Sequence, residues 1–250
     1  MLLEARIAIA FLTILPLRLP DRLDPERLGR SAAFFPLAGW VIGGLQLGSG
    51  WTVQAFVLPP LVGALLLVIL AAWLTRGLHL DGLADLLDGL GGGHEPARRL
   101  AIMKDSAIGA FGVVGLVLLL GLKVACLAEL LTWANPLHRG AALLAAPVAS
   151  RWAMAALACG AEYPRQAGTG HAFVGRVGVR ELLLGGLLVL PLLWGGVAAV
   201  AAVVAALLPA IWLRFKANRA LGGITGDVLG ASCELGEAMG WLAAVASAGG

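Results

Sequence analysis

The chain has 250 residues, 60% of them hydrophobic and only 13% charged, with a mean hydropathy of +0.90 and a net charge of +3. A water-soluble domain carries about 25% charged residues to hydrate its surface, so much of this surface faces lipid. The basic residues do not form the concentrated face that nucleic-acid binding needs. Cys126, Cys159 and Cys233 are too far apart for a CxxC pair or a disulfide framework and read as small apolar residues.

In chain order, the apolar run Ile7–Leu15 has Glu4 in front of it, no small-x-small cleavage site behind it, and Pro16 and Pro20 to break it. These features predict a short re-entrant or interfacial helix kept in the mature protein, not a signal peptide. Residues 34–74 are too long for one crossing, and Gly48-Ser49-Gly50-Trp51 divides them into two spans. Residues 107–131 and 141–159 add a third and a fourth span. As one helix, residues 182–213 would reach about 48 Å, beyond a hydrocarbon core of about 30 Å; a turn at Gly195-Gly196 makes two short spans of them. The last apolar segment, 235–248, suffices only if it extends back toward Asp227. The prediction is an all-α, polytopic transmembrane bundle of about six to seven spans. Together with the N-terminal helix it forms a single catalytic domain over residues 1–250. Gly39-x-x-x-Gly43 and the pair Gly112 and Gly115 predict close helix packing.

Fourteen of the 18 basic residues fall in four polar stretches, 16–33, 75–106, 160–181 and 214–233. Successive stretches are two spans apart and so share one side, which the positive-inside bias makes cytoplasmic.

The chemistry gathers in the same stretches. In His79-Leu-Asp81-Gly-Leu-Ala-Asp85-Leu-Leu-Asp88-Gly89, three carboxylates recur at i, i+4 and i+7, one stripe of a helix. A solvated acidic face would show the same spacing, but the whole chain has only 15 acidic residues. Three like charges beside a span call for a cation, and Mg²⁺ suits carboxylates combined with substrate phosphates. His79 fits a hydrogen-bonding role at the helix end as well as a ligand role. Lys104-Asp105-Ser106, followed by Gly109 and Gly112, suits phosphate contact at a helix N-terminus, or a capped helix start. In Gly222-Gly-Ile-Thr225-Gly-Asp227-Val-Leu-Gly230, extended to Glu234 and Glu237, carboxylates lead into an apolar segment, where they need partners. Arg151, inside an apolar helix, needs a carboxylate or a phosphate; Lys123 and Glu129 read as structural. Many carboxylates, scattered cations and no serine or cysteine nucleophile motif point to metal-assisted phosphoryl chemistry.

These landmarks resemble the cobalamin synthase (adenosylcobinamide-GDP ribazoletransferase) family. The resemblance is carried by Phe11-Leu-Thr-Ile-Leu-Pro16, Phe35-Pro36-Leu-x-Gly39, the His79–Gly89 motif, Met103-Lys-Asp-Ser-x-x-Gly109, Phe173-x-Gly175 and Gly222–Gly230 with Glu234-Leu. They stand in the family's order over essentially the whole chain. The resemblance implies a multi-pass protein of the prokaryotic inner membrane, with lipid around it and its active site on the cytoplasmic face. It implies adenosylcobinamide-GDP as donor, α-ribazole or its 5′-phosphate as acceptor, GMP as leaving group and Mg²⁺ as cofactor. Asp81, Asp85 and Asp88 would then bind Mg²⁺ and the diphosphate, with Asp227 and Glu234 completing the metal shell or acting as base. Lys104 and Arg151 would contact phosphate or the departing GMP, and His79, Asp105, Ser106 and Thr225 would complete the substrate contacts. A homo-oligomer is left open. A CDP-alcohol phosphotransferase, the nearest rival, would need Arg where Asp85 stands and lacks its later Gly-x-x-x-Asp-x-x-x-Asp here. A transporter would hold its carboxylates at mid-bilayer rather than at span ends. The reading requires Asp85 and Asp227 to meet at one face.

Overall fold

The computed structural model describes residues 1–248, and among them every element is helical. The elements are α1 (Leu2–Leu12), α2 (Pro25–Ser31), α3 (Phe35–Ala55), α4 (Pro60–Leu74), α5 (Leu78–Gly92), α6 (Pro96–Ile102), α7 (Ala110–Thr132), α8 (Pro136–Ala158), α9 (Val179–Val189), α10 (Val197–Leu221) and α11 (Gly226–Ala248). Four stretches are long and apolar enough to cross a membrane: Pro25–Ala55, Ala110–Thr132, Pro136–Ala158 and Val197–Leu221. The pair α4 and α5, bent by 89°, makes a fifth if taken as one broken span. Length and hydropathy thus support four to five spans, against the six to seven expected. The difference lies in α9, only 11 residues long, and in α11, whose 23 residues include Asp227, Glu234 and Glu237.

Proline sets several boundaries. Pro25, Pro36, Pro60, Pro96 and Pro136 each occupy a first-turn position, where the missing N–H has no helical partner to lose. The expected break at Gly48–Trp51 does not occur; α3 runs through it, and the chain turns at Phe56–Pro59 instead. Glycine weakens a helix by only about 1 kcal/mol, whereas Pro59-Pro60 cannot continue one. The turn at Gly195-Gly196 is present, with Gly196 at φ 87°, and α11 does extend back to Asp227.

Central α8 packs on α3, α10 and α11. Gly39 of α3 lies against the α8 backbone, where a Cβ would stand 2.5 Å from the Pro147 carbonyl, so this small-residue motif does mark a close contact. Pro147 lies inside α8 and leaves the Leu143 carbonyl without its helical donor. The Trp241 indole N–H of α11 donates to that carbonyl at 3.3 Å. Outward faces are apolar: Leu61, Leu65 and Ile69 on α4, Val114, Val117 and Leu118 on α7, and Leu208, Ile211 and Phe215 on α10 are exposed. On a chain this poor in charge, they form a lipid-facing surface.

The polar stretches meet at one end of the bundle. Ile14 N–H donates to Leu74 O at 2.7 Å, and Ile224 N–H to Glu162 O at 2.8 Å. Arg99 donates to Ala220 O at 3.0 Å, and Arg214 to Cys159 O at 2.9 Å.

Candidate active site

At that end α5 crosses the start of α11, and glycine sets how closely. A Cβ on Gly82 would lie 2.9 Å from Asp227 Cα, and one on Gly230 would lie 3.1 Å from His79 Cα. At Gly82 a Cβ would force the backbones apart, and at Gly230 the α5 backbone would have to give by a few tenths of an ångström. The close approach sets Asp81 and Asp85, which flank Gly82, beside Asp227 at the N-terminus of α11. Burial first, and then the Asp81 and Asp227 carboxylates, push the Asp85 carboxyl up to about 7.

Asp227 has a cationic neighbour and a hydrogen-bond donor. Arg165 Nη1 forms an ion pair with its Oδ2 at 2.9 Å, and the Thr225 hydroxyl donates to the same oxygen at 3.3 Å. Thr225 Oγ1 also accepts from Val228 N–H at 3.3 Å, so Thr225 caps α11. Arg165 reaches the site because its loop docks on the Gly222–Thr225 turn: a Cβ on Gly223 would meet Glu162 O at 2.4 Å, and Ile224 bonds the same carbonyl. Among the described residues, Arg165 Nε and Nη2 and the Tyr163 hydroxyl are buried without partners. The Tyr163 ring packs edge-on against His171, with centroids 5.4 Å apart. Sequence reasoning counted Arg165 only as one cytoplasmic charge; the signal available was its place in Tyr163-Pro164-Arg165, a polar loop facing Thr225-Gly-Asp227.

Other expected site residues lie elsewhere. Asp88 turns to α7 and accepts from Gly109 N–H at 2.7 Å and Gly112 N–H at 2.8 Å. The helix terminus expected to meet phosphate is therefore filled by the protein's own carboxylate. Lys104, Asp105 and Ser106 sit on the exposed loop before α7, and Asp105 accepts from Ala107 N–H at 3.0 Å.

Glu234 and Arg151 belong to a separate network within the bundle. Lys123 bonds both Glu234 and Glu237, the latter at 2.6 Å, and Arg151 bonds Glu237. All four side chains are buried. Two cations facing two carboxylates leave no free charge for a metal or a phosphate, so in this structure Arg151 and Glu234 are not at the acidic crossing. Arg151 does need a carboxylate, as expected, and Lys123 is structural, although it pairs inside the bundle rather than reaching for its surface.

His79 is 1% exposed, and among the described residues neither ring nitrogen has a partner. It lines a cavity of about 160 Å³ together with Asp81 and Asp227. Among the described residues, no three His, Cys, Asp or Glu side chains converge as a ready-made metal shell.

A family model described as cobalamin-5-phosphate synthase matches residues 4–245. The chain belongs to that family. Relatives named adenosylcobinamide-GDP ribazoletransferase cover nearly all of it. The protein of Syntrophobacter fumaroxidans is 42% identical over 93% of this chain and 94% of its own. That of Geotalea daltonii is 41% identical over 97% of both, and that of Pseudomonas fluorescens 43% identical over 92% and 94%. No solved structure matches the chain. Asp81, Asp85, Asp227 and Arg165, gathered by α5, α11 and one docked loop, form the candidate site.

Proposed function

We propose that the protein transfers the adenosylcobinamide-phosphate group of adenosylcobinamide-GDP to α-ribazole or its 5′-phosphate and releases GMP. The observation that carries this reading is the α5–α11 crossing, where three carboxylates and a half-paired arginine gather at one end of a membrane bundle of this family. In the transfer, a ribose hydroxyl of the acceptor that stays free when the 5′ position carries phosphate forms a bond through its oxygen to the cobinamide-side phosphorus, its proton passes to a base, and the bond from that phosphorus to the bridging oxygen breaks. GMP leaves with the bridging oxygen.

The residues divide the work as follows. Burial raises the Asp227 carboxyl and the Arg165 guanidinium opposes that rise; among the described residues two guanidinium nitrogens of Arg165 have no partner and suit diphosphate oxygens. Asp85, with its carboxyl near 7, suits a general base that takes the proton from the attacking hydroxyl. Asp81 and Asp227 would hold Mg²⁺. An incomplete protein shell fits that ion, which usually takes one or two carboxylates and fills its remaining positions with water and substrate phosphate. When bound, Mg²⁺ supplies charge neutralisation of the diphosphate.

The basic residues of the four polar stretches lie at the same end, which supports a site on the cytoplasmic face of the inner membrane. The test is direct: purified protein incubated with adenosylcobinamide-GDP, α-ribazole and Mg²⁺ should release GMP. Asp81→Ala should abolish release while still inserting into the membrane, and full turnover by that variant refutes the reading.

A further inference from the structure

The cavity beside the crossing has a shape and polarity that suit one part of the substrates. Phe11, Phe35 and Phe173 form one wall, with Phe11 and Phe173 centroids 4.6 Å apart and Phe35 and Phe173 5.2 Å apart. Met154 adds a polarisable thioether. His79 also lines the cavity and is buried, and among the described residues neither of its ring nitrogens has a hydrogen-bond partner. A buried polar group without a partner is unusual enough in a folded protein to call for one. Asp81 and Asp227 line the same cavity, so an occupant is already beside the phosphoryl-transfer site.

We propose that this cavity seats the aromatic base of the acceptor nucleoside, whose unsubstituted ring nitrogen accepts a hydrogen bond from the His79 N–H. The inference rests on the function proposed above and adds to it the site that selects the acceptor. Size supports it: an apolar protein cavity of about 150 Å³ takes up benzene, so a space of about 160 Å³ admits a flat aromatic base and excludes a corrin macrocycle. Polarity separates the acceptor's base from the donor's guanine. A benzimidazole riboside presents one ring nitrogen to the pocket, which one neutral imidazole satisfies. Guanine presents several edge donors and acceptors, more than the single His79 imidazole on the phenylalanine side of the cavity can pair. Ring edges and faces of the three phenylalanines suit an inserted aromatic.

The full chain in detergent should be assayed with α-ribazole and with its analogue in which CH replaces the unsubstituted ring nitrogen. Wild-type protein should show a KM about tenfold higher for the analogue, with an unchanged KM for adenosylcobinamide-GDP. His79→Leu should raise the KM for α-ribazole to the analogue's value and no longer tell the two acceptors apart, again with the donor KM unchanged. Equal wild-type KM values for the two acceptors overturn the proposal, as does a His79→Leu effect confined to the donor. The wild-type comparison needs no variant and decides the matter if His79→Leu does not fold. GMP release with no discrimination between acceptors removes only the base site; no GMP release with any acceptor removes the function it rests on.

Discussion

Asp85 illustrates what a carboxylate does when its neighbours have the same charge. Its carboxyl is pushed up to about 7 by burial and by Asp81 and Asp227, so the folded chain binds a proton there that the unfolded chain releases well below that pH. The folded state is therefore favoured as pH falls from about 7 toward 4, and that contribution is lost as pH rises through 7. Without divalent cations, the protein in detergent should melt at lower temperature at pH 8 than at pH 5.5. Mg²⁺ should raise the melting temperature at pH 8, closing that difference, and do little at pH 5.5. Asp85→Asn should remove most of the pH dependence, by roughly 2–4 °C for each kcal/mol relieved; thermal unfolding at the two pH values checks this. Arg165 gives a second prediction. Arg165→Lys keeps the charge but not the planar fork, so GMP release should fall about tenfold or more with melting nearly unchanged. Of these residues, Asp81, Asp85 and Asp227 were legible from acidic spacing beside apolar runs. Arg165 was not, because only the docking of its loop on Ile224 distinguishes it from any other cytoplasmic arginine.

For helices, the informative feature is depth. Asp227 and Glu234 are seven residues apart, which looks like one stripe in sequence, yet seven residues of helix advance about 10 Å. Asp227 therefore stays at the rim, while Glu234 reaches the interior and meets Lys123. Asp88 diverges for a related reason: two turns along α5 from Asp81, it meets the start of α7 and caps it. Asp88→Ala should strip that cap from the buried Gly112 N–H and the half-buried Gly109 N–H and destabilise the protein by about 1–3 kcal/mol. Asp88→Asn, which keeps an acceptor oxygen, should cost less; chemical or thermal unfolding ranks the two. The α5–α11 crossing is less tolerant still. Gly82→Leu would drive a side chain into Asp227 Cα and the Asp227 carbonyl oxygen, 2.9 and 3.0 Å from the first added atom, so it should abolish turnover. Spans were easier to read than their ends, because apolar length is a local property, whereas the choice between Gly48 and Pro59 as the break depends on how much helix each residue tolerates.

Across the whole molecule, two apolar clusters divide the bundle. One holds Phe35, Leu83, Met154 and Val228 near the site, and the other Leu67, Leu127, Leu143 and Trp241 toward the far end. Lys123, Arg151, Glu234 and Glu237 stand where one cluster gives way to the other along α7, α8 and α11. The opposed charges balance, so the loss of one partner should be worse than the loss of the pair. Glu237→Gln leaves Arg151 buried without its carboxylate and should destabilise by about 3–5 kcal/mol; combining it with Arg151→Met should recover much of that loss, read as detergent-resistant folded protein. The all-helical membrane architecture was legible from composition alone. This internal network was not, since its members lie on three helices and only packing brings them together.

The late position of α11 in the chain has a consequence for biosynthesis. Lys123 and Arg151 leave the ribosome long before Glu234 and Glu237, so a nascent chain paused after α10 holds two cations within a hydrophobic assembly and has none of the acidic partners they require. The same pause leaves α5 without Asp227. A chain stalled there should be a substrate for membrane quality control, and emergence of the next helix should give it charge balance and a place for its reaction together.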